Sequence, residues 1–343
     1  MIKKVENKQE LHTFIHYIET LYKNDPYVVF PIFYSLSKEL KKEVLIDKNY
    51  TALLYYKDNT VLGRIMYTID ESKKKHSQIG YFSFFDCIND IEVAKALFDY
   101  MGEDLRNQGI HYVEGTFAPY DPDTRRGILV KGFDSSPVVF TSYNYDYYPT
   151  LLEAVGCYKA IDTVLLNADV NEKSKKRLNT FSKFFKRSHD VRVDPINFKN
   201  LEADIKDVHD ILIAATNEIV YQDAPSLDMV KNTAKQLKSI INPNLILIAR
   251  ENQTNKPIGF CLVLPDYNQV FKKTNGRIRP IKMLLEKRKI TKARGMMQYI
   301  VPEYQNTGLI GYMFNVVFDE FRKIGITHFE AGTMMEDNPK PIN

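Results

Sequence analysis

One segment occurs twice in this chain, and that repetition constrains its fold more than any other feature. Glu103-Asp104-Leu105-Arg106-Asn107-Gln108-Gly109-Ile110-His111-Tyr112-Val113-Glu114 matches Asp319-Glu320-Phe321-Arg322-Lys323-Ile324-Gly325-Ile326-Thr327-His328-Phe329-Glu330. Each copy has two acids, an apolar residue, Arg, two variable positions, Gly-Ile and a closing Glu. The pattern predicts a helix end, a glycine cap and a short buried strand. Upstream lies an apolar strand in both copies, Gln78–Phe85 and Gly295–Val301. Further upstream each half has a hairpin, Thr51–Tyr56 with Val61–Thr68, and Leu245–Arg250 with Pro257–Leu264. Gly63 and Gly259 fall at comparable points of the second hairpin strand. Helices are expected over Leu11–Tyr22 and Ser35–Val44 in the first half, and over Ile205–Ile219 and Leu227–Ile240 in the second.

A shared order of strand, helices, hairpin, strand, helix, strand predicts two tandem α/β (α+β) domains, each on a mixed sheet. The boundary is expected near Asp169–Lys175, giving domains over 1–170 and 171–343. Pro149–Ala160 and Ile161–Ala168 read as the last helix and strand of the first domain. After Glu330 only 13 positions remain, so the second domain is expected to lack its last helix and strands. That arithmetic predicts an exposed sheet edge and self-association through it.

With 343 residues, 44% hydrophobic and 26% charged, the chain can bury two cores and is not disordered. A net charge of +4 gives no warrant for a dedicated nucleic-acid protein. The basic stretches Lys173–Arg192 and Lys272–Arg294 read as solvated faces, or as contacts with phosphate or an acidic partner. Cys87, Cys157 and Cys261 lie apart, without metal-ligand spacing, and read as reduced packing residues; no metal is expected. No apolar run approaches the ~20 residues of a membrane span, and Met1–Glu6 lacks the core of a signal peptide. The expectation is a cytoplasmic protein with no membrane partner.

Chemistry is expected at Val301-Pro302-Glu303-Tyr304-Gln305-Asn306-Thr307-Gly308, between a strand and a helix. A helix N-terminus offers unsatisfied N–H donors, and glycine lets the backbone close on a phosphate. With the order of elements, this segment resembles the GNAT acyltransferase superfamily, whose Gln/Arg-x-x-Gly-x-Gly/Ala loop wraps the pyrophosphate of acyl-CoA. Gln305 and Gly308 match that pattern. Ile310 stands where Gly or Ala is usual, and the nearby glycine is Gly311. The resemblance implies acetyl-CoA or another acyl-CoA as co-substrate, held by Ile300, Val301, Gln305, Asn306, Thr307, Gly308, Leu309, Ile310 and Gly311. At the same offset the first copy has Asn89 and Glu92, with Asp86 and Asp90 nearby and no glycine, so it reads as degenerate for acyl-CoA.

Asp25-Pro26-Tyr27-Val28, Gly80–Cys87, Gly127–Asp134, Tyr143–Tyr148 and Leu264–Asn268 also resemble a bacterial family of double-GNAT proteins. The resemblance implies acyl transfer to an amine of a small molecule or peptide. Glu330 is the candidate base, and Asp337 and Asn338 are candidate polar residues near the cofactor, with Asn338 grouped with Glu330 as catalytic. Tyr299 and Tyr304 flank the loop and read as packing. The absent last helix is where the superfamily commonly carries a general-acid tyrosine. Two alternatives remain: a tandem-GNAT transferase using aminoacyl-tRNA, which the Lys173–Arg192 stretch would suit, and a non-catalytic binding protein. The Gly127–Phe133 loop after Arg125-Arg126 and the Asp223-Ala224-Pro225-Ser226 turn are weaker candidates, for phosphate and substrate respectively.

Overall fold

The structure, a computed structural model, describes residues 1–69, 79–119, 126–216, 225–237 and 241–336. In chain order the first elements are β1 (Ile2–Lys4), α1 (Lys8–Leu21), α2 (Phe33–Leu40), β2 (Thr51–Lys57), β3 (Thr60–Ile69) and β4 (Ile79–Cys87). Then come α3 (Ile91–Asn107), β5 (Tyr112–Gly115), α4 (Tyr148–Ala154), β6 (Thr163–Asp169), α5 (Glu172–Ser188) and β7 (Val191–Pro195). They are followed by α6 (Leu201–Thr216), α7 (Leu227–Leu237), β8 (Ile246–Glu251), β9 (Pro257–Pro265), α8 (Asn268–Thr274) and α9 (Pro280–Lys287). The last are β10 (Lys292–Ile300), α10 (Leu309–Ile324) and β11 (His328–Met335).

The chain divides into two compact units, Met1–Ala160 with Asn268–Arg288, and Ile161–Tyr267 with Lys289–Asn343. This differs from a single cut at 170/171 in two ways. The division falls ten residues earlier, and the segment carrying α8 and α9 joins the first unit although the sequence places it between two strands of the second.

In the first unit the sheet order is β1-β2-β3-β4-β5, antiparallel except for the parallel pair β4–β5. Helix α1 forms because Asn7 caps it, accepting from Gln9 N and Glu10 N at 3.0 Å, and because Leu11, Phe14, Ile15 and Ile18 recur on one face. These residues join Ala52, Leu54, Met66 and Phe84 in one core. Leu53, Ile65 and Phe82 point the other way and pack with Val93, Leu97 and Met101 of α3. Strand alternation thus gives this sheet two covered faces.

In the second unit the order is β6-β11-β10-β9-β8-β7, again antiparallel except for one parallel pair, β10–β11. Ala249 lies beside Gly259 under α10, whereas Arg250 reaches Asp204 and Asp207 of α6, so these helices cover opposite faces.

The repeat is structural. Arg106 and Arg322 lie in α3 and α10, each the crossover between parallel strands. Gly109 (φ 79°) and Gly325 (φ 82°) take the left-handed cap conformation. Ile110 N bonds Leu105 O at 2.9 Å, and Ile326 N bonds Phe321 O at 3.0 Å, the same helix-closing bond in both copies. Gly63 and Gly259 share a cause as well. A Cβ at Gly63 would lie 3.0 Å from Leu97 and Val93, and one at Gly259 would lie 3.2 and 3.3 Å from Met313 and Leu309. Each glycine lets its crossover helix approach the sheet.

One expectation is corrected. Residues 161–168 do not finish the first domain, because β6 pairs antiparallel with β11, from His328↔Asp169 to Met335↔Thr163. The exposed edge expected beside the last strand is therefore occupied, by a strand drawn from the connection between the two copies. The two strands lie far apart in the chain, and no local pattern reports such a pairing.

Candidate functional site

Both sheets fork at the same place. In the second unit β10 pairs with β11 only over Lys292–Gly295 and His328–Ala331. Immediately beyond, β10 bulges between Gly295 and Met297 and continues to Ile300 against β9 alone, while β11 continues against β6. Among the described residues, Met297–Ile300 pair with β9 and not with β11. The first unit repeats the pattern, with β4–β5 pairing ending at Phe82 and a register shift between Arg64 and Met66.

Past the fork the two copies differ. In the first unit only Ile88–Asp90 separate strand from helix, and the Asp90 carboxylate caps α3, accepting from Glu92 N at 2.9 Å. The N-terminal donors of that helix already face an anion. In the second unit Val301–Gly308 intervene. Gly308 is the cap residue of α10 at φ 95°, with no side-chain cap bond and no acid in the first turn. A Cβ there would meet nothing within 4 Å, so the backbone conformation, not space, calls for glycine. Asn306 is also left-handed, at φ 61°. Thr307 Oγ1 donates to Tyr304 O at 2.6 Å and Gln305 Nε2 donates to Ile300 O at 3.3 Å, which fixes the loop to the strand it leaves. Tyr304 donates to Glu251 at 2.8 Å, a packing and anchoring role.

Gly311 has a different explanation from phosphate approach: a Cβ there would lie 3.1 Å from Phe181 of α5. Helix α5 runs antiparallel to α10. Lys175 Nζ bonds Asn315 O at 2.7 Å and Asp319 at 2.6 Å near one end, and Lys186 lies 4.3 Å from the Tyr312 ring near the other. The basic Lys173–Arg192 stretch is thus partly a packed helix, and its last turn, with Lys186 and Arg187, lies toward the start of α10.

Glu330 lies on β11 one residue before the fork, in register with Arg294. Phe329 packs against Phe314, Phe318 and Phe321 of α10, so Glu330 points to the opposite face. Burial lifts its carboxyl above the ordinary value, against the pull of Lys292, Arg294 and His328. Asp337, Asn338, Asp223 and Ala224 lie outside the described residues.

A cavity of about 360 Å³ lies in the first unit. Its polar end was not anticipated. Arg64, wholly buried in β3, donates from Nε to Asp86 at 2.8 Å and from a terminal nitrogen to Phe14 O. Tyr148 and Tyr22 lie 3.3 and 3.4 Å from the other Asp86 oxygen and 3.0 Å from each other. Burial pushes both phenols well above their ordinary value. The rest of the wall is largely apolar, including Val28, Phe30, Ile128 and Phe271. The signal available in the sequence was an arginine inside the apolar run Val61–Tyr67 and an aspartate at the end of Tyr81–Phe85. The Gly127 loop closes on this unit by Gly127 N to Thr116 O (2.9 Å) and Leu129 N to Asn144 (2.7 Å), and does not open a helix. Cys87 and Cys261 are buried thiols pushed up to about 12, as packing residues should be. Among the described residues no cluster of three or more His, Cys, Asp or Glu could hold a metal, and no helix is long and apolar enough to cross a membrane.

No family model matches this chain. It is 24% identical over 301 residues to Protein YghO of Escherichia coli K12, covering 82% of this chain and 72% of that protein. It is 22% identical over 355 residues to the bacterial ceramide synthase of Caulobacter vibrioides, covering 97% of this chain and 90% of that one. Among solved structures, a tandem GNAT protein from the clavulanic acid biosynthesis pathway aligns with all of this chain and 92% of its own, at TM-score 0.54 and 11% identity. At that identity the likeness establishes the fold alone: two GNAT folds in tandem.

Proposed function

We propose that this protein is an acyl-CoA-dependent N-acyltransferase whose second unit holds the donor. The observation that carries the reading is the contrast beyond the fork: an uncapped α10 behind a left-handed Gly308 in the second copy, against an aspartate-capped α3 in the first. Acyl-CoA supplies an activated acyl group as its thioester. The N–H groups of Gly308–Gly311 hold its pyrophosphate, and its extended arm runs along β10 where that strand parts from β11. Gln305, Asn306 and Thr307 shape the loop, with Leu309 and Ile310 beginning the helix. Glu330, whose carboxyl burial lifts above its ordinary value, accepts the proton of the attacking amine, directly or through a water.

A lipid amine is the acceptor favoured by one specific observation. The relative matching 97% of this chain is named for making ceramide, an N-acylated lipid amine.

The test is thiol release with product mass spectrometry, using acetyl- and palmitoyl-CoA against dihydrosphingosine, spermidine and a lysine peptide. CoA release matched by an amide product supports the proposal. Tight acyl-CoA binding without an amide from any acceptor favours the binding-protein alternative and sinks the enzyme.

A further inference from the structure

The connection between β9 and β10 is far longer than its counterpart, residues 266–291 against residues 70–78 between β3 and β4. Its described residues add no strand to either sheet. Its first part, α8, is fixed within the first unit. Phe33 N bonds Gly276 O at 3.0 Å, Asn268 Nδ2 bonds Pro137 O at 2.9 Å, and Lys272 Nζ reaches Pro26 O and Ser136. At Gly276, φ 67°, a Cβ would lie 2.3 Å from Pro31 O, so the chain passes tightly there before α9 begins.

Helix α9 is different. None of its residues is buried. Ile281, Leu284 and Leu285 are 79%, 62% and 55% exposed, and the preceding Ile278 is 51% exposed. The spacing 281/284/285 places three large aliphatic side chains on one helical face, while Met283 and Glu286 turn toward the protein. Residues 277–288 carry five cations and one carboxylate, with Arg279 at the start of the helix, Lys282 beside the aliphatic face and Lys287 and Arg288 at its end.

We propose that α9 docks this protein on an anionic lipid surface, lying in the interface and not crossing it. Scattered single aliphatics need no partner, but a face of three flanked by cations does. A nucleic acid would match the charge and leave Ile281, Leu284 and Leu285 in water. A bilayer of anionic lipids matches both, with aliphatic side chains among the acyl chains and cations at the phosphates. This goes beyond acyl transfer and does not depend on it.

The chain contains no tryptophan, so Leu284→Trp in the full-length protein gives a single reporter. With phosphatidylglycerol-containing vesicles its emission should move to shorter wavelength and be quenched by lipids brominated in the acyl chain. Ile281→Ser with Leu285→Ser should lower partitioning tenfold or more. Replacing Arg279, Lys282 and Arg288 by Gln should lower it about fivefold per charge. Because these side chains lie outside the buried core, an unchanged circular dichroism spectrum and elution volume separate the losses from misfolding. No emission change with anionic vesicles overturns the proposal. So does an equal change with phosphatidylcholine alone, a change on concentrating the protein without lipid, or quenching by an oligonucleotide in place of vesicles.

Discussion

Arg64 is the position where one substitution should do most damage to the first unit. Its guanidinium is wholly buried and bonds Asp86 and the Phe14 carbonyl, tying β3 and β4 to α1. Arg64→Met keeps much of the volume and removes every one of those bonds. Asp86 is then left with Tyr148 and Tyr22 at 3.3 and 3.4 Å and no cation. Breaking a buried pair from one side costs about 3–5 kcal/mol, because a desolvated charge loses its partner. Replacing both members should cost less, so Arg64→Met with Asp86→Leu is expected to recover much of the loss. The assay is urea denaturation followed by hydrogen exchange of α1 and β4 peptides, since a chain of two units need not unfold in one step. A loss below ~1 kcal/mol for Arg64→Met, or a double variant worse than the sum of the singles, refutes the reasoning.

Three further outcomes are expected from the geometry. Gly63→Ala should destabilise by roughly 1–2 kcal/mol in thermal or urea melts, and Gly259→Ala by less, because the unbranched Met313 yields more readily than Val93. Gly109→Ala and Gly325→Ala should each cost about 1–2 kcal/mol in the same melts, since both caps are left-handed and neither site is crowded. For Glu330 the folded carboxyl titrates above its unfolded value, so the native state holds its proton more tightly and stability falls as pH rises from about 4.5 through the folded value. Glu330→Gln should flatten that slope in melts across pH, and should abolish a low-pH limb in kcat if the residue is the base. A limb that survives the substitution removes Glu330 from the chemistry.

Much of this fold was legible because its signals are local. The Gly-Ile pair after each crossover helix, the hairpins, and Gly63 and Gly259 reflect backbone geometry that a short window specifies. What was not legible depends on distant partners. Ile161–Ala168 reads as a strand, but nothing in it says that the free edge it joins is β11. Lys272–Arg294 reads as a basic stretch, and nothing in it tells that Asn268–Arg288 belongs to the first unit, where Gly276 meets Pro31. The second-unit loop was visible from Gln305 and Gly308, whereas Gly311 answers to Phe181 of α5. The Arg64–Asp86 pair was hidden because a charge inside an apolar run is silent until its partner is known.

The central claim, that one acyl-CoA is held at α10 of the second unit, meets its most direct test in titration calorimetry of acetyl-CoA. The variants are Gly308→Asp and Gly308→Asn. Both side chains tolerate the left-handed conformation better than other residues, so they differ mainly by one negative charge. A charge a few ångströms from the pyrophosphate in a half-exposed site should weaken binding about tenfold to a hundredfold, and the neutral amide far less. One site per chain is expected, with a large loss for Asp and a small one for Asn. Equal affinity for wild type and Gly308→Asp, or two sites per chain, would contradict the claim.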